Sequence, residues 1–109
     1  MTVETLIAQT GWDALLLSDG TRAVTGGYAG DLLSWVMGRA QAGDCWVTIM
    51  SNINVVAVAQ LTDVACVVFA EGVKPDADVL AAAKAHAINL LSTQCDTFAA
   101  CAAVAAQLR

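Results

Sequence analysis

Residues 45–50, Cys-Trp-Val-Thr-Ile-Met, are apolar without alternation. A strand with one solvated face alternates apolar and polar residues, whereas a continuous run marks a strand covered on both faces, as in a mainly parallel sheet. Val64–Phe69 has the same character. Two parallel strands need a crossover between them. That requirement assigns Val55, Val56, Val58, Ala59 and Leu61, which propensity alone leaves ambiguous, to a helix. The break at Ser51-Asn52 separates this helix from the strand before it.

The rest of the chain extends the alternation. Thr2 is placed to cap a helix striped by Val3, Leu6 and Ile7 and ended by Gly11. Ala14–Leu17 reads as a short strand closed by Ser18-Asp19-Gly20, and Ala23–Thr25 as an extended piece leading into Gly26-Gly27-Tyr28-Ala29-Gly30. Asp31 is the expected cap of a helix carrying Leu32, Leu33, Val36, Met37 and Ala40, stopped by Gly43-Asp44. Asp76 caps the next helix, with Val79, Leu80, Ala83 and Ala87 on its buried side. Ile88–Leu91 forms a last strand. Thr93 with Asp96 resembles a capping box, and Phe98, Cys101, Ala102, Ala105 and Leu108 stripe the final helix. The pattern predicts one α/β domain over residues 1–109, a mainly parallel sheet of about four to five short strands flanked by helices.

Composition narrows the function classes. Ten acidic residues against five basic ones leave a net charge of −5. Nucleic-acid binders need a basic footprint to neutralise phosphates, so no such partner is expected. Charged residues make up 14% of the chain and hydrophobic ones 58%, against roughly 25% charged in an average soluble domain. So little charge covers a monomer poorly, which predicts burial of part of the surface in a homodimer. The stretch Cys45–Thr62 is uncharged, but its polar residues and its break argue against a spanning helix, which needs about 20 mostly apolar residues. The N-terminal residues lack the pattern of a signal peptide. The expectation is a cytoplasmic protein with no membrane contact.

Cys45, Cys66, Cys95 and Cys101 form no C-x-x-C pair and no zinc spacing. They read as free thiols in apolar surroundings, and no metal or cofactor is expected. His86 is the only histidine. It stands near a helix C-terminus, which the macrodipole favours, with no nucleophile nearby. General acid–base and nucleophilic catalysis need a positioned pair of groups. None is visible, so no enzyme is expected.

Ligands of open α/β sheets bind outside the carboxyl ends of the strands. There the chain places Thr25, Gly26, Gly27, Gly30, Asp31, Ser51, Asn52, Asn54, Ser92 and Thr93, small or polar and often ahead of helices. One reading is a shallow polar pocket for a small anionic, nucleotide-like ligand held by backbone N–H groups at helix N-termini. The other is that these are turn and cap residues chosen for backbone geometry. Gly26-Gly27-x-x-Gly30 is no P-loop, since the following Lys-Ser/Thr is absent and Asp31 puts a carboxylate where phosphate would sit. Its glycine spacing also differs from the dinucleotide fingerprint. Tyr28 and Trp35 are candidate interface residues, because aromatics concentrate in interface cores. Trp46 suits a core or an interface equally.

The stretch Val24–Ser34 resembles the signature of the DRTGG domain family. The likeness continues through Trp46–Ile49, Asn54–Ala59, the Gly72-x-x-Pro75 loop and Leu90–Thr93, covering about Arg22 to Phe98. The family's named motif survives as Thr25-Gly26-Gly27, with Ala23 and Val24 where its Asp and Arg would stand. Ser51-Asn52-Ile53-Asn54 replaces a His-Pro-Asn-like segment of stand-alone members, which weakens any case for acid–base or metal chemistry there. The resemblance implies an α/β domain without established catalytic activity. Such domains occur alone, ahead of some phosphotransacetylases, and between CBS domains in some pyrophosphatases. It therefore implies regulation, ligand sensing or dimerisation, with Thr25, Gly26, Gly27, Gly30, Asp31, Asn54, Ser92 and Thr93 as the residues to carry over. The expected function is a non-catalytic regulatory or accessory module that homodimerises and binds a small anionic ligand at the glycine loop. The alternative is a structural dimerisation or scaffold subunit of a larger metabolic enzyme system.

Overall fold

The computed structural model describes Met1–Leu108. The elements run α1 (Val3–Thr10), β1 (Asp13–Leu16), β2 (Gly26–Ala29), α2 (Leu33–Arg39), β3 (Asp44–Thr48), α3 (Asn54–Thr62), β4 (Cys66–Phe69), α4 (Ala77–Ala85), β5 (Leu90–Ser92) and α5 (Thr97–Gln107). The five strands form one sheet in the order β1-β5-β4-β3-β2. Strands β2 to β5 are parallel, and β1 closes the other edge antiparallel to β5.

The continuous apolar runs are buried over Cys45–Thr48 and Val64–Phe69, as their pattern requires; Ile49 and Met50, expected in the first strand, lie beyond its end at Thr48, with Ile49 exposed. Strands β3, β4 and β5 have no exposed residue. Side chains alternate between the two faces. Cys45, Val47, Cys66, Val68 and Leu91 pack with Val3 and Leu6 of α1 and Ala100 and Val104 of α5. Trp46, Val67, Phe69 and Leu90 pack on the other face against Val36, Val55, Ala59, Val79 and Ala83 from α2, α3 and α4. Trp46 is core: it is fully buried and its indole N–H donates to the Gly30 carbonyl at 2.9 Å.

Local signals set the ends of α1. The Thr2 hydroxyl accepts from the Thr5 N–H, the Thr5 hydroxyl oxygen accepts from the Thr2 N–H, and Gly11 closes the helix in the left-handed conformation at φ 72°. This reciprocal arrangement satisfies N–H groups that have no partner within the helix.

Elsewhere tertiary partners displace the expected caps and boundaries. Strand β1 begins one residue early, at Asp13, and β5 covers Leu90–Ser92 rather than Ile88–Leu91. Ala23 makes only an isolated bridge to Thr2. The extended segment is instead Gly26–Ala29, which pairs along β3. Asp31 does not cap α2: the capping position is Leu32, which makes no side-chain cap bond. Thr93 does not cap α5 either. Asp96 does, accepting from the Ala99 N–H at 2.7 Å. Ala87, expected on the buried side of α4, is exposed at φ 55° in the turn after the helix. On α5 the buried residues are Ala100 and Val104, while Phe98 and Leu108 of the expected stripe are exposed.

Candidate functional site

Because β2 to β5 are parallel, the segments after Ala29, Thr48, Phe69 and Ser92 leave the sheet from one edge. This carboxyl edge collects Gly30, Asp31, Ser51, Asn52, Asn54, Ser92 and Thr93 of the expected site. It does not collect the others. Thr25 and Gly26 lie at the amino edge, where Gly26 pairs with Asp44 and the Thr25 N–H bonds the Gly43 carbonyl. Gly27 sits within β2 on the α5 side, with Val104 Cγ1 3.6 Å from where its Cβ would be. The glycine loop is therefore an edge strand rather than a cradle at a strand end. A Cβ on Gly26 would come within 2.6 Å of Asp44 Oδ1, so glycine there makes room for a buried carboxylate.

Most polar groups on the carboxyl edge are already engaged. The Asp31 carboxylate accepts from the Thr48 hydroxyl at 2.8 Å and the Ile49 N–H at 2.9 Å. Asn52 Oδ1 accepts from the Asn54 N–H at 2.9 Å at the start of α3. Thr93 Oγ1 accepts from the Cys95 N–H at 3.1 Å. Ser92 and Thr93 are buried, whereas Ser51 is half-buried and Asn52 exposed.

Glu71, which follows β4 at the same edge, is not among the expected site residues. Its carboxylate accepts from the Thr97 N–H at 2.7 Å and the Thr97 hydroxyl at 3.2 Å. With Asp96, it places two carboxylates on the N-terminus of α5, the position an anion would otherwise favour. Glu71 has φ 61° and Gly72 φ 74°. Nothing local connects Glu71 to Thr97, so only the folded loop identifies the pair. Asp13, paired with Ser92 at this edge, adds another acidic residue. Lys74, in the loop between β4 and α4, is the basic residue among these connections.

Two hollows lie elsewhere. A polar one of about 300 Å³ is lined by Asp19, Arg22, Gln60, Asp63, His86 and Asn89, among others. Arg22 there pairs with Asp63 at 3.1 Å. Asn89 is buried: its amide nitrogen donates to the carbonyls of Asp19 and Ala65, and its oxygen accepts from the Asp19 N–H. The other is an apolar groove of about 350 Å³ between β2 and α5, lined by Gly27, Tyr28, Ala29, Cys45, Val47, Cys101, Val104, Ala105 and Leu108. Of the two aromatic candidates, Tyr28 is half-buried against the α2–α4 side. Trp35 is 53% exposed on α2, with the Arg39 guanidinium 3.8 Å over its ring. No group of three or more His, Cys, Asp or Glu residues among the described residues is placed to hold a metal ion. No helix among them is long and apolar enough to cross a membrane.

These features describe a doubly covered, mainly parallel α/β domain with shallow surface hollows. The sequence profile of the DRTGG domain matches residues 29–107, and the chain belongs to the DRTGG domain family. The match begins after Thr25-Gly26-Gly27, so the remnant of the named motif lies outside it. No curated protein matches the chain. Among solved structures, the chain is similar to the CBS and DRTGG domains of the regulatory region of Clostridium perfringens pyrophosphatase, complexed with its activator diadenosine tetraphosphate. The TM-score is 0.74 at 14% identity, over 94% of this chain and 45% of that one. The chain thus spans less than half the length of that structure.

Proposed function

We propose that this chain is a non-catalytic regulatory or accessory module that acts as a homodimer. The observation that carries the reading is the apolar surface left open by a fold whose core is already complete. Leu32, Trp35, Met37, Ile53, Leu61 and Phe98 are all exposed, Leu61 at 71% and Phe98 at 85%. Single exposed apolar residues are ordinary, but here they recur on or beside α2, α3 and α5, on both faces of a chain only 14% charged, which favours covering part of that surface with a second copy. Family membership and the fold shared with part of a pyrophosphatase regulatory region support the regulatory role.

The experiment is light scattering across protein concentration. A dimer at low micromolar concentration, with a melting point that rises with concentration, is the expected result. A monomer throughout sinks the homodimer reading.

A second reading is a sensor for a small anionic, nucleotide-like ligand. It is favoured by the gathering of Gly30, Ser51, Asn52, Ser92 and Thr93 on one edge, from which the loop carrying Lys74 also leaves, and by the nucleotide complex of the similar structure. The carboxylates of Asp31, Glu71 and Asp96 oppose an anion there, so such a ligand would approach from the Ser51, Asn52 and Lys74 side. A thermal-shift screen against nucleotides and adenosine polyphosphates tests it. A ligand at 100 times its dissociation constant adds about 2.7 kcal/mol, a shift of several degrees for a domain of this size.

A further inference from the structure

Helix α5 runs Thr-Phe-Ala-Ala-Cys-Ala-Ala-Val-Ala-Ala-Gln, with no charged residue between Asp96 and Arg109. Helices at a protein surface ordinarily turn charged and polar residues outward. Here the outward residues are Phe98, Ala99, Ala102, Ala105 and Ala106. The stripe Phe98, Cys101, Ala105, Leu108 has the spacing of a buried helical seam, yet none of the four is buried. It flanks the apolar groove beside β2, three of the four being groove residues. The groove exists because β2 offers only Gly27 and Ala29 to this side, too little bulk to fill the space under α5.

We infer that this face is the homodimer interface, two copies of α5 packing antiparallel across a two-fold axis with each Phe98 seated at the mouth of the partner's groove. The inference rests on the homodimer proposed above and names its surface. The face is self-complementary, as a two-fold contact requires. Phe98 projects at the start of the helix, and the groove opens along its second half. An antiparallel crossing centred on Cys101 and Ala102 brings each Phe98 opposite the partner's Ala105. The alanines let two helices approach closely.

Charge points the same way. Each copy carries −5, so two copies repel, and the uncharged run Thr97–Leu108 is a face on which they meet without opposing like charges. Trp35, the main alternative anchor, already has a guanidinium on its ring. One 11-residue helix and a neighbouring edge strand form a small patch. Dimers below about 1,200 Å² of total buried area are at the weak end, so the dissociation constant expected is on the order of micromolar.

The test is sedimentation equilibrium on the wild-type chain and on Phe98→Asp, Ala102→Glu and Trp35→Ser. Phe98 and Ala102 are exposed, so both variants fold, as circular dichroism checks. The interface assigned here requires Phe98→Asp and Ala102→Glu each to weaken dimerisation by about 100-fold, with Trp35→Ser still dimeric. A dimer that survives both α5 substitutions overturns this surface while leaving the homodimer itself intact. Loss of the dimer in Trp35→Ser alone moves the interface to α2. A wild-type monomer at every concentration overturns both.

Discussion

Asp31 and Thr48 are joined by a 2.8 Å hydrogen bond from the threonine hydroxyl to the carboxylate, across the gap between the ends of β2 and β3. The same carboxylate oxygen accepts from the Ile49 N–H, so one atom of Asp31 orders the carboxyl edge at its β2 end. Thr48 is 1% exposed and turns its hydroxyl to a partner that only this topology supplies.

Asp31→Ala removes that acceptor and leaves a buried hydroxyl without it, which costs about 1–3 kcal/mol. Asp31→Asn keeps an oxygen in place and costs clearly less. Urea denaturation of both variants separates the cases. Equal loss in the two would show that the negative charge matters rather than the acceptor.

Gly26 and Gly27 part company when each is changed to alanine. At Gly26 the new Cβ meets Asp44 Oδ1 at 2.6 Å, and forcing atoms into a packed site costs about 1–3 kcal/mol. At Gly27 the nearest atoms are 3.6 Å away. Alanine there is neutral, or gains up to about 1 kcal/mol from a less flexible unfolded chain. Melting temperatures of the two variants check this, and a reversal of their order would refute the placement of β2.

The four thiols differ in reactivity. Cys45 is paired with Cys66 on the adjacent strand, and their contact together with burial pushes the Cys45 thiol well up from its ordinary value. Burial also raises Cys101, while Cys95 is exposed. The thiolate is the reactive form. Alkylation of the native protein followed by mass spectrometry is expected to label Cys95 first and Cys101 slowly, with Cys45 and Cys66 labelled only on unfolding. Early labelling of Cys45 would contradict the buried pair.

Asp19 accepts from the Thr21 hydroxyl at 2.6 Å and the Thr21 N–H at 3.0 Å. These bonds favour the ionised form and lower its pKa from the ordinary aspartate value. A depressed folded-state pKa stabilises the protein above the unfolded value, and that contribution is lost as pH falls through the folded one. The Asp19 carboxyl should therefore titrate by NMR below the usual aspartate range, and Thr21→Ala should return it upward. An unchanged midpoint in Thr21→Ala would rule out the hydroxyl as the cause.

How much of this was legible in the chain depends on how far each determinant reaches. The unbroken apolar runs at 45–50 and 64–69 required strands buried on both faces, joined by a helix, and Thr2 with Gly11 bounded α1 from within a few residues. These are local signals, carried by periodicity and by side chains bonding their own backbone. Asp31, Thr93 and Glu71 escaped that logic. Asp31 serves β3 instead of the helix beside it, Glu71 caps a helix 26 residues away, and Thr93 leaves that cap to Asp96. A carboxylate looks the same in sequence whichever N–H group it serves, so its partner is decided only when the strands come together.

The same limit applies to the last helix. Its residues announce an apolar seam, and the spacing is that of a buried one. Periodicity records which side of a helix avoids water, not what covers it. In this chain α5 turned Ala100 and Val104 toward the sheet, because β2 had only Gly27 and Ala29 beneath it, and left Phe98 outside. The sequence by itself determined that the helix is apolar. Packing over an edge strand with almost no side chains decided which part of it the monomer leaves open.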